Sequence, residues 1–251
     1  MKKQILTLIL SVLPTFAFAA GGGVHLDSAP IDISDMESVK RGAKNFVDYC
    51  FSCHEASYMR FNRIAKDTGM TEAELRENLI FTTNEDGEPT KVGSLMKVTM
   101  TDDYARKAFG GAVPDLTLTA RARGADWLYT YLRTFYLDPY RPTGMNNLVF
   151  PDVGMPHVLS SLQGLQKAVY KTETHQGVKV EHVDHLELAQ PGSMTTEEYD
   201  AFVADLVNFM VYLGEPVQNE RRSLGVKVLI FLVIFFVFAY LLKKEYWKDV
   251  H

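Results

Sequence analysis

The chain has 251 residues, with 26 basic and 31 acidic side chains and a formal net charge of −5. A near-average globular composition excludes a disordered or fibrous chain, and the length allows one ordinary domain plus extensions. The acidic balance excludes nucleic acid as a partner.

At the N-terminus, Lys2 and Lys3 precede the apolar run 5–13, and Ala17-Phe18-Ala19 has the A-x-A form of a cleavage site. Residues 1–19 are expected to be a secretory signal, with the mature chain starting at Ala20. The run before Pro14 is too short to span a membrane. Ser34 and Glu37 then form a capping-box pattern, S-x-x-E. Val39, Ala43, Phe46 and Tyr49/Cys50 follow on one face of a helix.

That helix runs into Cys50-Phe51-Ser52-Cys53-His54. In an exported chain two cysteines ordinarily pair, and C-x-x-C alone also fits a thioredoxin-type redox site. The histidine directly after the second cysteine decides for C-x-x-C-H, the c-type haem attachment signature, and no βαβ pattern precedes Cys50. Each thiol adds to one haem vinyl group, and His54 becomes the proximal iron ligand. An amphipathic helix entering this motif is how a class I cytochrome c begins. The expected fold class is therefore mainly α: a class I cytochrome c-like domain with insertions, plus one C-terminal transmembrane helix.

The second axial ligand of an electron-transfer haem is usually His or Met. Met96, Met100 and Met145 are candidates, but Met155 sits in Phe150-Pro151-Asp152-Val153-Gly154-Met155-Pro156-His157. Proline on both sides and a neighbouring glycine describe a rigid loop able to hold a weak thioether on iron. His157 is its rival, two residues away. His175, His182 and His185 lie in a polar stretch with partial strand-like alternation, read as exposed histidines on a hairpin.

Thr195-x-x-Glu198 is a second capping box, and Tyr199, Phe202, Val203, Leu206, Phe209, Met210 and Leu213 follow at helical spacing. Gly214 and Pro216 end that helix. Residues 228–242 contain no charge, and thirteen of the fifteen are Leu, Ile, Val or Phe. Fifteen residues span only about 22 Å, so the helix should reach back to about Leu224 to approach a ~30 Å bilayer core. The expected division is signal 1–19, cytochrome domain 20–220, linker 221–223, membrane anchor 224–242 in contact with lipid, and cytoplasmic tail 243–251. Removing the two lysines of 1–19 and the six basic and two acidic residues of 221–251 leaves 18 basic and 29 acidic residues in 20–220, a net of −11. Such a surface would steer a basic protein partner.

The chain resembles the cytochrome c1 family, the haem c subunit of the cytochrome bc1 complex (ubiquinol–cytochrome c reductase), over nearly all of its mature length. Beyond C-x-x-C-H, the resemblance rests on Gly110-Gly111-Ala112-Val113-Pro114-Asp115-Leu116-Thr117, on Arg121-Ala122-Arg123-Gly124-Ala125-Asp126-Trp127, on Gly154-Met155-Pro156, and on 209–216 followed by Arg221-Arg222 and the anchor. Val113 stands where the family commonly has Pro, and Trp127 where it commonly has Tyr. The resemblance implies one covalent haem c, Met155 as distal ligand and Arg123 as partner of a haem propionate. It implies a bacterial inner-membrane, single-pass subunit with its haem domain on the periplasmic side. Its neighbours would be the cytochrome b and Rieske iron–sulfur subunits. One electron would arrive from the Rieske centre and leave to a soluble or tethered cytochrome c, with no substrate-transforming site on this chain. The rival readings are a free-standing membrane-tethered cytochrome c and a haem-based sensor. A tether would want a long flexible linker, and a sensor an open sixth position.

Overall fold

The structure is a computed structural model that describes residues 24–249 except 84, 85, 99, 176 and 177. The expected signal at 1–19 lies outside the described residues.

Two long helices organise the domain. α1 (Met36–Tyr49) buries Val39, Ala43, Phe46 and Val47. Its cap is Asp35, whose carboxylate accepts from the backbone N–H groups of Glu37 and Ser38 at 3.1 and 3.0 Å. The expected Ser34–Glu37 capping box does not form: Ser34 Oγ donates to Asp32 Oδ1 at 2.6 Å instead. A carboxylate one residue later reaches the same orphan N–H groups and adds a favourable charge at the helix N-terminus. α8 (Thr196–Gly214), the last helix before the apolar C-terminal one, has the expected capping box of Thr195 and Glu198 and buries Tyr199, Val203, Leu206, Phe209, Met210 and Leu213.

α1 and α8 cross at Gly42, where an added Cβ would strike the backbone carbonyl of Asp205. Hydrogen bonds lock the crossing. Asp205 accepts from Ser38 Oγ at 2.6 Å and from Arg41 Nε at 2.6 Å, while Asn208 Nδ2 donates to Ser38 Oγ at 2.9 Å. Phe46 and Phe209 meet at 5.4 Å between ring centroids. Two helices about 150 residues apart in sequence are thereby packed against each other.

Between them, β1 (Ala56–Arg60) pairs antiparallel with β2 (Leu95–Met96). The short helices α2 (Phe61–Thr68), α3 (Glu72–Leu79), α4 (Asp102–Phe109), α5 (Thr119–Arg123) and α6 (Ala125–Arg133) follow in order. A four-stranded sheet comes next, in the order β4-β3-β5-β6: β3 (Phe135–Leu137), β4 (Met145–Asn147), β5 (Gly164–His175) and β6 (Val178–Pro191), with the single turn α7 (Ser160–Gln163) between β4 and β5. β3 runs parallel to β5 and the other pairs are antiparallel.

The β5–β6 hairpin qualifies the expectation of a mainly α chain, because only about half of the chain is helical. Its residues carry alternation without a continuous apolar face, so the helical period that marks α1 and α8 is missing there. His182 and His185 are exposed on it, His185 beside Asp184 (2.8 Å) and Glu187 (3.4 Å).

The last helix, α9 (Gln218–Tyr246), buries none of its residues inside the protein. The expected linker 221–223 is helical, and the helix starts before it. At about 1.5 Å per residue its 29 residues outreach a ~30 Å hydrocarbon core. The chain has one helix long and apolar enough to cross a membrane among the described residues.

Candidate haem-binding site

α1 ends where the attachment motif begins. Cys50 N donates to Phe46 O at 2.8 Å, and His54 N donates to Cys50 O at 2.8 Å, so Cys50 to His54 fold back as a compact turn. Cys50 and Cys53 are free thiols, the first buried and the second half-buried. Burial, with the neighbouring Cys53 thiol adding to it, pushes the Cys50 thiol up to about 12.

The segment 114–117 lies against this turn. Leu116 N donates to Glu55 O at 2.8 Å. Asp115 accepts from the backbone N–H groups of Ser57 and Thr117, both at 2.8 Å. Burial works against the Asp115 charge, but the Ser57 and Thr117 hydrogen bonds outweigh it and hold the carboxyl below its ordinary value. This clamp sets the Pro114 carbonyl 2.8 Å from His54 Nδ1. A carbonyl only accepts, so Nδ1 carries the hydrogen and Nε2 keeps its lone pair for a metal. Burial lowers the His54 pKa, against the opposing Pro114 and Asp115 interactions, which keeps the ring neutral as a ligand must be.

The distal candidates separate by environment. Met96 is fully buried on β2, and Met145 is buried on β4. Met100 shares a cleft with Cys53, Val98 and Val113. His157 is buried with its ring stacked parallel to Phe135, 4.9 Å between centroids and 2° between planes, and burial pushes its pKa down to about 4. Met155 is half-buried, and the Tyr131 hydroxyl donates to its Sδ at 3.3 Å.

The Met155 loop is held by two residues that sequence reasoning passed over. Asn146 Oδ1 accepts from Asp152 N at 2.9 Å. Asn147 Oδ1 accepts from Val149 N at 2.9 Å and Phe150 N at 3.1 Å, while its Nδ2 donates to the Tyr131 carbonyl at 2.8 Å. Both asparagines are buried, and Asp152 takes a left-handed φ of 64° at the turn. Two adjacent asparagines ahead of a Pro-Asp step were the available signal, since Asn side chains bond nearby backbone in turns. The far side of the loop reaches α4: a Cβ on Gly154 would lie 3.6 Å from the Phe109 carbonyl, at the head of the segment that leads to Pro114.

Arg123 is exposed at the end of α5. Its guanidinium lies 5.1 Å from the Trp127 ring centroid and 5.9 Å from that of Phe150, and it has no carboxylate partner among the described residues. Arg121 is engaged elsewhere, 3.3 Å from Glu215.

A profile described as the cytochrome C1 family matches residues 27–250. The chain belongs to the cytochrome c1 family. It is 51% identical over its whole length to the whole of a cytochrome c1 of Allochromatium vinosum. It is also 51% identical, over 99% of the chain and all of the relative, to a Nitrosomonas europaea protein named ammonia monooxygenase gamma subunit. A Bradyrhizobium diazoefficiens protein named cytochrome b/c1 is 27% identical over 89% of the chain, which spans 35% of that relative. Cytochrome c1 is the haem c subunit of the cytochrome bc1 oxidoreductase complex, and the family carries one covalently bound haem c and serves electron transport in the respiratory chain. The residues of the attachment motif fit that group: two free thiols and an imidazole whose Nδ1 is taken up by the Pro114 carbonyl share one turn.

Proposed function

We propose that this subunit accepts one electron from the Rieske iron–sulfur protein and passes it to a cytochrome c. Bound haem supplies a one-electron iron couple. Cys50 and Cys53 would hold it through thioethers, His54 Nε2 and Met155 Sδ would supply its iron with donors, and Arg123, whose guanidinium lies 5.1 Å from the Trp127 ring centroid, would be the cation that meets a propionate. The observation that carries the reading is the His54–Pro114 hydrogen bond, which fixes the tautomer and aims the free nitrogen. The crossing of α1 and α8 supports a class I cytochrome arrangement around that site.

Docking within the complex is favoured over a swinging tether by the junction with the anchor. Glu215 accepts from Arg221 and pairs with Arg121, so α5, the end of α8 and the start of α9 are tied at one carboxylate. A braced junction suits a subunit seated beside cytochrome b, and the cytochrome b/c1 name of one relative points to the same neighbour. The haem domain stands on the periplasmic side and 243–251 in the cytoplasm, in keeping with the exported reading of the N-terminus. No part of the chain transforms a substrate itself. A sensor would want a vacant sixth position, whereas Met155 is braced in place.

Purifying the complex natively from membranes, staining denatured chains for covalent haem and identifying the co-purifying chains tests this. Haem stain on this chain together with cytochrome b and Rieske subunits is the expected result. A haem-stained chain that purifies alone under gentle detergent favours the free-standing carrier.

A further inference from the structure

Tyr131 is a residue that neither the attachment motif nor the axial pair accounts for. It lies on α6, one helical turn after Trp127, and its ring stacks on the indole at 4.9 Å with 10° between planes. Phe135 also meets it edge-on, at 5.1 Å and 68°. Asn147 Nδ2 holds its backbone carbonyl at 2.8 Å. The ring is buried and held by both aromatic neighbours, and its hydroxyl reaches Met155 Sδ at 3.3 Å.

We propose that Tyr131 is a positioning residue that orients the Met155 thioether and raises the reduction potential by donating a hydrogen bond to its sulfur. This rests on Met155 being the sixth ligand. A thioether sulfur has two lone pairs. One would be free for iron while the other accepts from Tyr131, which also limits how the methyl group can rotate. The hydrogen bond draws electron density from sulfur. Ferric iron, the more demanding of donation, loses more than ferrous iron does, so the reduced state gains. Asn147 connects the two halves of the device, bonding the Tyr131 carbonyl and the backbone of the loop that carries Met155.

Tyr131→Phe in the full-length holoprotein deletes the hydroxyl and keeps both ring contacts. Redox titration of the c-haem absorbance should show a two- to five-fold shift of the equilibrium toward ferric, a fall of about 18–41 mV at about 59 mV per tenfold. The near-infrared sulfur-to-iron charge-transfer band of the ferric protein should remain but move in energy. Tyr131→Leu, which also removes the ring, should add a loss of thermal stability. If wild type shows the band and Tyr131→Phe changes neither potential nor band energy, Tyr131 is packing alone and the inference fails. If wild type lacks the band, the Met155 ligation itself is wrong and the inference falls with it.

Discussion

His54 donates from Nδ1 to the Pro114 carbonyl across 2.8 Å, joining two residues 60 apart in sequence. The bond depends on Asp115, which pins Ser57 on one side and Thr117 on the other. Asp115→Ala leaves two backbone N–H groups without their partner, a cost of about 1–3 kcal/mol. The urea midpoint of the holoprotein should fall by that equivalent, while the denatured chain keeps its haem stain, because the thioethers do not depend on the clamp. An unchanged midpoint would show that the clamp is dispensable.

Met155→His should keep a six-coordinate haem and lower its potential by something on the order of 0.2 V, since imidazole favours ferric iron over what a thioether does. Redox titration and loss of the sulfur charge-transfer band check it. Retention of the band in the variant would hand the ligand role to another methionine, Met100 first, because it shares a cleft with Cys53.

Gly42 marks the tightest approach of α1 and α8. Gly42→Val forces the helices apart against the Asp205 carbonyl and should cost about 1–3 kcal/mol or more, read as a lowered Tm. Gly225, which has open space around it, is the matched control. The same substitution there should leave the Tm of the haem domain in place.

Much of this was legible in the sequence because the chemistry is local. C-x-x-C-H is contiguous, α8 carries its capping box and its apolar period, and α9 is apolar all round. What stayed hidden depends on contacts between distant residues. The cap of α1 moved from Ser34 to Asp35 because two adjacent residues compete for the same N–H groups and only geometry ranks them. Asn146 and Asn147 gave a weak turn signal, and their service to Met155 and Tyr131 needs the fold. The prolines and glycine around Met155 already set it apart in sequence, and the structure adds that Met96 and Met145 are buried core residues.

The Arg221 guanidinium above all, with Gln218 and Arg121 adding to the hold, outweighs the loss of solvent around Glu215 and brings its carboxyl down to about 2. A depressed carboxylate contributes stability that is full above its ordinary pKa and is lost as pH falls through the folded value. The difference in stability between wild type and Glu215→Gln should therefore be constant from pH 8 down to about 5, then shrink between 4.5 and about 2. Hydrogen exchange of 214–222 should speed up in the variant at neutral pH. Equal exchange in both proteins would mean that the junction is braced by something other than this carboxylate.

The net −11 of residues 20–220 predicts electrostatic docking of a basic cytochrome c, and the structure says which acids to test. The acidic run around α3 is largely spent: Glu72 pairs with Arg76 at 2.8 Å, and Glu74 caps its own helix through Thr71 and pairs with Lys40 at 3.5 Å. Asp102 and Asp103, in the first turn of α4, are better placed, because Asp102 lines the same cleft as Cys53 and its own partner, Arg106, stands at the longer distance of 3.5 Å. The bimolecular rate of electron transfer to a basic cytochrome c should fall steeply with salt, as the Debye length shrinks from about 30 Å at 0.01 M to about 10 Å at 0.1 M. Asp102→Asn with Asp103→Asn should lower the rate several-fold at low salt, flatten that dependence and leave the haem spectrum unchanged. Glu72→Gln with Glu77→Gln should do less, since neither lines the Cys53 cleft and Arg76 holds Glu72 at 2.8 Å, closer than Arg106 holds Asp102. A rate that ignores ionic strength in wild type would rule out steering by this surface and place the contact on apolar residues instead.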